Sequence, residues 1–296
     1  MTISVSDWFL VWIGLEINIL RFIALIYRRR IIRVEACIKY FFIQRLGSGL
    51  LIIIFYCGVN WFEYLILVIL RYKMGGGPFY FWFPSICERI RWGRCLLLMR
   101  FQKVLPLLIV TVLVSIILWR IIIIRIVVGS VGSLNQKKIK RLMAYSSVHH
   151  IGWMLLGIYV RDDICFLYLL VYRLIISGII LILWKDKILE VGVLKNIRSK
   201  WSFSLGMLSI GGIPPILGFF LKWWVFFNLL NLDFRLLVII ILISVLIFYV
   251  YLRVVYYVII IRRANVGWKI IEGKKILMGW DMIYLIGLNS GVLLWI

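Results

Sequence analysis

The chain has 296 residues, of which 64% are hydrophobic, and its mean hydropathy is +1.05. Apolar stretches of roughly 20 residues recur along it, long enough to cross a bilayer core as helices, which excludes a soluble globular protein. The net charge of +23 would suggest nucleic-acid binding in a soluble protein, but the basic residues collect in short connections between apolar stretches and therefore indicate membrane topology.

The apolar stretches predict an all-α fold, a polytopic transmembrane helical bundle that forms a single domain over residues 1–296. A two-residue hydrophobic period is lacking, which disfavours a membrane barrel. About ten spans are expected from segments of this length. In chain order they cover residues 7–27, 36–57, 61–83, 95–112, 115–134, 142–160, 163–184, 202–230, 234–261 and 278–296.

The charge of the connections alternates along the chain. Basic residues are concentrated at 28–33, 89–94, 137–141, 185–200 and 262–275, whereas the intervening connections hold little beyond Arg161 and Arg235. By the positive-inside rule the basic connections face the compartment of synthesis, and both termini face the other side.

Motifs for a bound cofactor or metal are missing from the sequence. The five cysteines lie far apart without a CxxC pair, so neither a disulfide framework nor an iron–sulfur ligand set is indicated. No GxGxxG, Walker loop or HExxH segment occurs. We therefore expect this chain to bind no redox cofactor, nucleotide or metal of its own.

The first span contains an acidic residue, Glu16, in the segment WIGLEINIL, well away from either end. A charged side chain at the centre of a span costs on the order of 3 kcal/mol, so such a residue is a functional candidate. The structural alternative is a carboxylate neutralised by Arg21 or by a neighbouring helix.

Two lysines lie beside helix breakers in later spans. Lys73 precedes three glycines and Pro78, which free backbone groups that only protein or a water-filled cavity can satisfy at membrane depth. The alternative is a lysine that extends to the membrane surface together with Arg71. Lys103 lies mid-span, three residues before Pro106, which bends the helix, so the same alternative fits it less well.

A third lysine, Lys222, follows the segment GGIPPILGFFL, which disrupts the predicted eighth span. Transporters form midplane ion sites from broken helices with adjacent charge, although a kink that serves only packing is the alternative. With Glu16, Lys73 and Lys103, this residue predicts a polar track for protons or cations. Burial disfavours a charged amine and a nearby carboxylate favours it, so a Glu–Lys pair that forms and separates would take up and release a proton.

Seven segments in a fixed order resemble one family. They are WIGLEINILRFI, EACIKYFFIQ, KMGGGPFYFWFP, FQKVLPL, GSVGSLNQKKIKRLMAYSSVHHIGWM, LSIGGIPPILGFFLKWW and YVYLRVVYY. Together they resemble the antiporter-like membrane subunits of mitochondrial NADH:ubiquinone oxidoreductase, respiratory complex I. The resemblance covers most of the chain to about residue 257.

The resemblance implies roles for the residues that match the family's motifs. Glu16 corresponds to an intramembrane glutamate that pairs with the lysine found here as Lys73, Lys103 to a central proton-carrying lysine, and Lys222 to a lysine towards the exit. His150 matches a histidine of the hydrophilic axis, while His149 looks incidental; a plain interfacial histidine is the alternative for either. The family's histidine in its PFHFW motif is Tyr80 here, whose phenol can relay a hydrogen bond but is a poor proton acceptor, so we expect a secondary role for it in the proton path. Arg21, Arg71 and Arg100 add positive charge that the family pattern does not explain.

The resemblance also implies a function and a setting. The chain would be a proton-translocating, non-redox membrane-arm subunit of an NADH:ubiquinone reductase, with NADH, FMN, iron–sulfur clusters and ubiquinone used elsewhere in the complex. Its partners would be other membrane-arm subunits and lipids, in a hetero-oligomer without nucleic acid. It would reside in the mitochondrial inner membrane, with the basic connections on the matrix side.

Two other functions fit the same residues. One is a free-standing sodium or potassium/proton antiporter. The other is a structural or quinone-binding membrane subunit, in which the aromatic segment PFYFWFP, residues 78–84, lines a ligand pocket.

Overall fold

The computed structural model describes residues 8–27, 29–57, 62–76, 79–112, 118–160, 162–214, 216–230 and 234–259. Within these ranges the chain is helical, and the single β-type pairing is an antiparallel bridge between Lys138 and Glu190. The predicted all-α class is confirmed for this part of the chain. The predicted last span, 278–296, lies outside the described residues.

Twelve α-helices and one short 3₁₀ helix, Val191–Asn196, occupy the described ranges. The α-helices are α1 Trp8–Ile26, α2 Ile31–Cys57, α3 Phe62–Lys73, α4 Trp82–Arg89, α5 Trp92–Arg100, α6 Val104–Val112, α7 Leu118–Ser133, α8 Ile139–Val160, α9 Asp162–Lys185, α10 Lys200–Gly211, α11 Leu217–Leu230 and α12 Phe234–Ile259.

Four of the described helices are long and apolar enough to cross a membrane by themselves. They cover Trp8–Ile26, Ile31–Tyr56, Asp163–Lys185 and Phe234–Ile259. Several of the other predicted spans are not continuous helices, because each is divided where the sequence places glycine, proline or a charged residue.

The division of the predicted third span follows Lys73, the last residue of α3. Gly75 takes a φ of +68°, a left-handed conformation that glycine adopts without strain. The predicted fourth span is divided between Arg100 and Val104. Pro106 lies in the first turn of α6, where a missing backbone N–H leaves no helical bond unmade.

The predicted eighth span is divided into α10 and α11 by the Gly-Pro segment. Gly212 caps α10 with a φ of +81°, and its N–H donates to the carbonyl oxygens of Leu208 and Ser209 at 2.9 and 3.2 Å. Gly218, in the first turn of α11, crosses this end so closely that a Cβ atom there would lie 1.7 Å from the Ser209 carbonyl oxygen. The break therefore brings the two half-helices into direct backbone contact.

Helix α8 lies at the centre of the described fold and packs against α4, α7, α9 and α11. Nearly all of its residues are buried. Its contact with α7 is close because Gly129 lies against the backbone of His149, where a Cβ atom would be 2.6 Å from the His149 nitrogen. The polar residues of α8, including Ser147 and His150, are therefore held in the interior.

The start of α8 is fixed by contacts with α4 and the chain that follows α9. Glu88 forms ion pairs with Lys138 and Arg141. Lys140 Nζ donates to the carbonyl oxygen of Ile90 at 2.5 Å, just beyond the end of α4. These contacts tie one basic connection to the helical bundle.

Candidate functional site

Glu16 lies on the buried face of α1, against α2. The Ser48 hydroxyl donates to Glu16 Oε1, and Arg45 Nη1 lies 3.1 Å from Glu16 Oε2. Arg45 and Ser48 are both on α2, so α2 neutralises the carboxylate that α1 carries. The implied direct pairing of Glu16 with Lys73 is not seen, because Arg45 occupies the ion-pair position. Arg21, the alternative partner considered from the sequence, is exposed.

Lys73 ends α3 with its side chain turned into the fold, where only 4% of the residue is exposed. Among the described residues its Nζ atom has no hydrogen-bond partner, although the charge of Glu16 acts on it through space. The methylene stem passes Gly47 of α2, where a Cβ atom would be 2.9 Å from Lys73 Cγ. Lys73 is therefore a buried amine and does not extend to the surface.

A small cavity joins Lys73 to Lys103. Its volume is about 20 Å³, and both lysines line it together with Tyr40, Asn18 and Gln102. Asn18 Nδ2 donates to Gln102 Oε1 at 2.8 Å, and the Tyr40 hydroxyl donates to the same oxygen at 3.1 Å. A polar cavity of this size has room for one water molecule with several polar partners.

Lys103 lies in the break between α5 and α6 and is buried. Its Nζ atom donates to Ser147 Oγ of α8 at 2.8 Å and lies 4.3 Å from the centre of the Phe83 ring. No carboxylate among the described residues lies within 4 Å of this amine. A hydroxyl can both donate and accept, so Ser147 is a suitable first relay for a proton from Lys103.

His150 lies one turn after Ser147 on the same helix. Its Nδ1 is 2.7 Å from the Tyr168 hydroxyl, and its Nε2 is 3.4 Å from the Tyr251 hydroxyl. Because each hydroxyl can donate or accept, both ring nitrogens can change their protonation without losing a partner. A second cavity of about 10 Å³ adjoins His150 and Gly218.

The neighbouring His149 is committed to a structural role. Trp153 Nε1 donates to His149 Nε2 at 2.9 Å, which leaves Nδ1 to carry the ring proton towards the carbonyl oxygen of Ile126 at 3.3 Å. Both nitrogens of the neutral ring are therefore occupied by fixed partners.

Lys222 of α11 bonds across the break to the end of α10. Its Nζ atom donates to the carbonyl oxygen of Gly211, the last residue of α10, at 2.7 Å. A helix end leaves carbonyl groups without partners and carries partial negative charge, so an ammonium group is favourable there. The amine also lies 5.6 Å from the centre of the Trp153 ring on α8.

Tyr80 lies apart from this succession of contacts. Its ring packs at 4.1 Å from that of Phe81 and 6.1 Å from that of Tyr145. The predicted secondary role of Tyr80 has no contact in the described structure that connects it to the buried lysines.

Several polar residues of the site were not recognised from the sequence. Ser147, Tyr168 and Tyr251 are ordinary residues in apolar helices until the fold brings them to Lys103 and His150. Arg125 of α7 is fully buried, and its guanidinium lies 3.4 Å from the Arg71 carbonyl oxygen, beside the turn after Lys73. A mid-span arginine is itself a recognisable signal, and Arg125 could have been identified by it.

The aromatic segment considered for quinone binding is described from residue 79 to residue 84 and combines exposed rings with rings that line a small cavity. Phe79 and Phe81 are 44% and 68% exposed. Trp82 and Phe83 line the cavity of about 20 Å³, which is far smaller than the few hundred Å³ of a typical small-molecule pocket. The described residues therefore favour water over a quinone at this position.

Comparison with known proteins identifies the family. The family model described as "NADH:quinone oxidoreductase/Mrp antiporter, TM" matches residues 5–57 and 54–247. The chain belongs to this family. The resemblance inferred from the seven sequence segments is thereby confirmed.

Relatives and solved structures agree with this assignment. NADH-ubiquinone oxidoreductase chain 2 of Anopheles gambiae is 34% identical over 298 residues, which cover 91% of this chain and 85% of the relative. A chain of respiratory complex I from Thermus thermophilus has a TM-score of 0.82 at 24% identity, covering 96% of this chain and 73% of that one. A chain of the Mrp complex from Dietzia sp. has a TM-score of 0.77 at 16% identity, covering 85% and 57%. These two likenesses show a shared fold.

Proposed function

We propose that this chain is a proton-translocating membrane-arm subunit of respiratory complex I, without a redox site of its own. The observation that carries the proposal is the succession of buried ionisable groups in a chain of this family. Glu16 and Lys73 are both buried, Lys73 and Lys103 line the same small cavity, and Lys103 donates to Ser147, which precedes His150 by one turn of α8. Buried charges in a membrane protein are costly and are retained mainly where ions or protons move.

Each residue in the succession has a distinct part in the proposed transfer. Lys103 exchanges a proton with water in the cavity on one side and with Ser147 on the other. His150 passes it between Tyr168 and Tyr251, because its two nitrogens face hydroxyl groups that can reverse their roles. Lys222, held on the Gly211 carbonyl, is the group at the broken helix where the proton leaves. Reduction of quinone elsewhere in the complex would alter the charge that these groups experience.

The proposal extends to the arrangement in the membrane. About ten spans, counting broken helix pairs and the C-terminal segment, would cross the mitochondrial inner membrane with the basic connections on the matrix side. NADH, FMN, iron–sulfur clusters and ubiquinone would bind to other subunits, and this chain would contact further membrane-arm subunits and lipids.

Proton counting tests the proposal. Lys103→Met and Lys222→Met would each be introduced into the assembled complex, and the protons moved per NADH oxidised would be measured in vesicles. Lys137→Met is the matched control, because Lys137 is exposed between α7 and α8. We expect fewer protons per NADH in both variants and an unchanged ratio in the control. Wild-type stoichiometry in both lysine variants would reject the proposal.

A free-standing cation/proton antiporter remains the second candidate, favoured by the fold shared with the Mrp complex chain. Such a protein would exchange sodium or potassium for protons after purification alone and reconstitution. A complex I subunit would instead migrate in gentle detergent with a very large assembly, together with other membrane subunits. The native mass of the particle therefore separates the two candidates.

A further inference from the structure

Two arginines meet at the break between α5 and α6, where the described residues supply no acidic partner. Arg173 Nη2 donates to the carbonyl oxygen of Arg100 at 3.2 Å. Both guanidinium groups lie beside the Phe101 ring, 5.7 Å from its centre for Arg100 and 5.6 Å for Arg173. Their Nε atoms are buried without a hydrogen-bond partner, and no carboxylate of the described residues lies within 4 Å of either group.

The arginine pair opens to the outer surface of the chain. Both arginines are half-buried, and Phe101 between them is 52% exposed. Leu170 and Leu174, which flank Arg173 on α9, are 59% and 38% exposed. The pair therefore forms a positively charged spot in an apolar surface that a lipid or another subunit must cover.

The depth of the pair in the membrane selects between these two. Arg173 lies about 17 Å along the helix axis from either end of α9, at a rise of about 1.5 Å per residue. Lipid phosphates lie at the ends of a span, and arginines reach them by extending outwards from near those ends. The Arg173 guanidinium is held instead on the Arg100 carbonyl, near the middle of the apolar layer. A partner at this depth is therefore carried by a membrane helix and not by a lipid headgroup.

We infer that Arg100 and Arg173 together bind a carboxylate from a membrane helix of an adjoining subunit. The inference rests on the proposed role of the chain as a membrane-arm subunit. A guanidinium presents parallel N–H donors that match the two oxygens of a carboxylate, and both arginine side chains are partly exposed at this surface. An unpaired carboxylate in a neighbouring span would cost free energy, as these unpaired arginines do. Forming the ion pair lowers that cost for both subunits.

The position of the pair gives the contact a consequence for transport. Arg100 is the last residue of α5, and Lys103 follows it in the break before α6. A carboxylate bound here would hold the backbone of the break that carries Lys103. The adjoining subunit would thereby act on the central lysine of the proposed proton path.

Photo-crosslinking tests the partner while both arginines are kept in the chain. Phe101 would be replaced by p-benzoylphenylalanine in the assembled complex, and the cross-linked peptides would be identified. We expect a cross-link to a membrane-spanning peptide of another subunit that contains Asp or Glu. Adducts to phospholipid only, to peptides without an acidic residue only, or to this chain only would overturn the inference.

Chemical labelling tests the charge interaction. Dicyclohexylcarbodiimide modifies protonated carboxyl groups in membranes, so a carboxylate held ionised by two arginines should be protected. In the double variant Arg100→Gln/Arg173→Gln we expect roughly tenfold more labelling of that carboxyl, the factor that corresponds to losing one charged hydrogen bond. The variant Arg100→Lys/Arg173→Lys should retain most of the protection.

The matched control for labelling is Arg120→Gln, since Arg120 is an exposed arginine in the first turn of α7 that lies beside Trp119. Labelling that does not differ between the wild type and the double glutamine variant would overturn the inference. If the double variant fails to assemble, the cross-link at position 101 still tests whether an acidic membrane helix of another subunit lies at the arginine pair. Neither readout depends on proton transfer, so this inference and the proposed function can fail separately.

Discussion

The Nζ atom of Lys103 lies 2.8 Å from the hydroxyl oxygen of Ser147, a residue 44 positions later in the sequence. This contact joins the break between α5 and α6 to the central helix α8. It satisfies a buried amine without a carboxylate, so the amine is free to lose its proton without leaving an unpaired negative charge.

Replacing Ser147 tests this relay. In Ser147→Ala we expect proton-coupled turnover of the complex to fall about tenfold, because Lys103 loses its only direct hydrogen bond among the described residues. The measurement is NADH-driven proton uptake in sealed vesicles. Ser177→Ala is the control, since the buried Ser177 hydroxyl only donates to Leu174 in its own helix, at 2.7 Å. Equal loss in the two variants would contradict the relay.

Two glycines on α2 allow a matched test of Lys73. A Cβ atom at Gly47 would be 2.9 Å from Lys73 Cγ, whereas one at Gly49 would meet nothing within 4 Å. We expect Gly47→Ala to displace the lysine stem, at a cost of about 1–3 kcal/mol, and to slow proton-coupled turnover. Gly49→Ala should behave as the wild type in the same vesicle assay. Identical turnover in both variants would remove Lys73 from the path.

The Glu16–Arg45 contact predicts that the two residues act together. Arg45→Gln leaves the carboxylate buried with Ser48 as its remaining partner, so we expect less assembled complex on native gels. Adding Glu16→Gln should restore assembly, because the uncompensated charge is removed. A coupling of about 0.5–3 kcal/mol in thermal stability would accompany this. Additive effects of the two changes would show that Arg45 does not neutralise Glu16.

The contact between the halves of the broken helix predicts a strict requirement for glycine at position 218. A Cβ atom there would lie 1.7 Å from the Ser209 carbonyl oxygen, and the obstacle is backbone that cannot rotate away. We expect Gly218→Ala to abolish accumulation of the assembled complex on native gels. Gly192→Ala, which introduces a Cβ atom into open space, should accumulate normally. Normal assembly of Gly218→Ala would contradict the geometry of the break.

The sequence predicts the breaks and the buried lysines because their signals are local. Gly212 and the prolines after it disrupt a helix by their own conformational limits, and Pro106 does so near Lys103. A charge in an apolar run is visible without knowledge of the fold. These features identified the breaks and singled out Lys73, Lys103 and Lys222, whereas the all-α class followed from the long apolar stretches.

The partners of those residues could not be predicted because they depend on how helices pack. Ser147 is 44 positions from Lys103, and Tyr251 is 101 positions from His150. A serine or tyrosine in an apolar helix gives no indication of which neighbour it will face. The implied Glu16–Lys73 pairing is not seen for the same reason: the packing of α2 against α1 places Arg45, which directly follows the segment EACIKYFFIQ, at the carboxylate.

The proposed proton path requires that solvent join the buried amines of Lys73 and Lys103. Detecting a water molecule between them is the most direct test of this path. The measurement is a density map of the assembled complex at a resolution that shows ordered water. We predict a water molecule in the cavity of about 20 Å³, within hydrogen-bond distance of at least one of the two amines and of the Gln102 side chain. A cavity closed by dry side-chain packing, with the two amines separated and unsolvated, would contradict it.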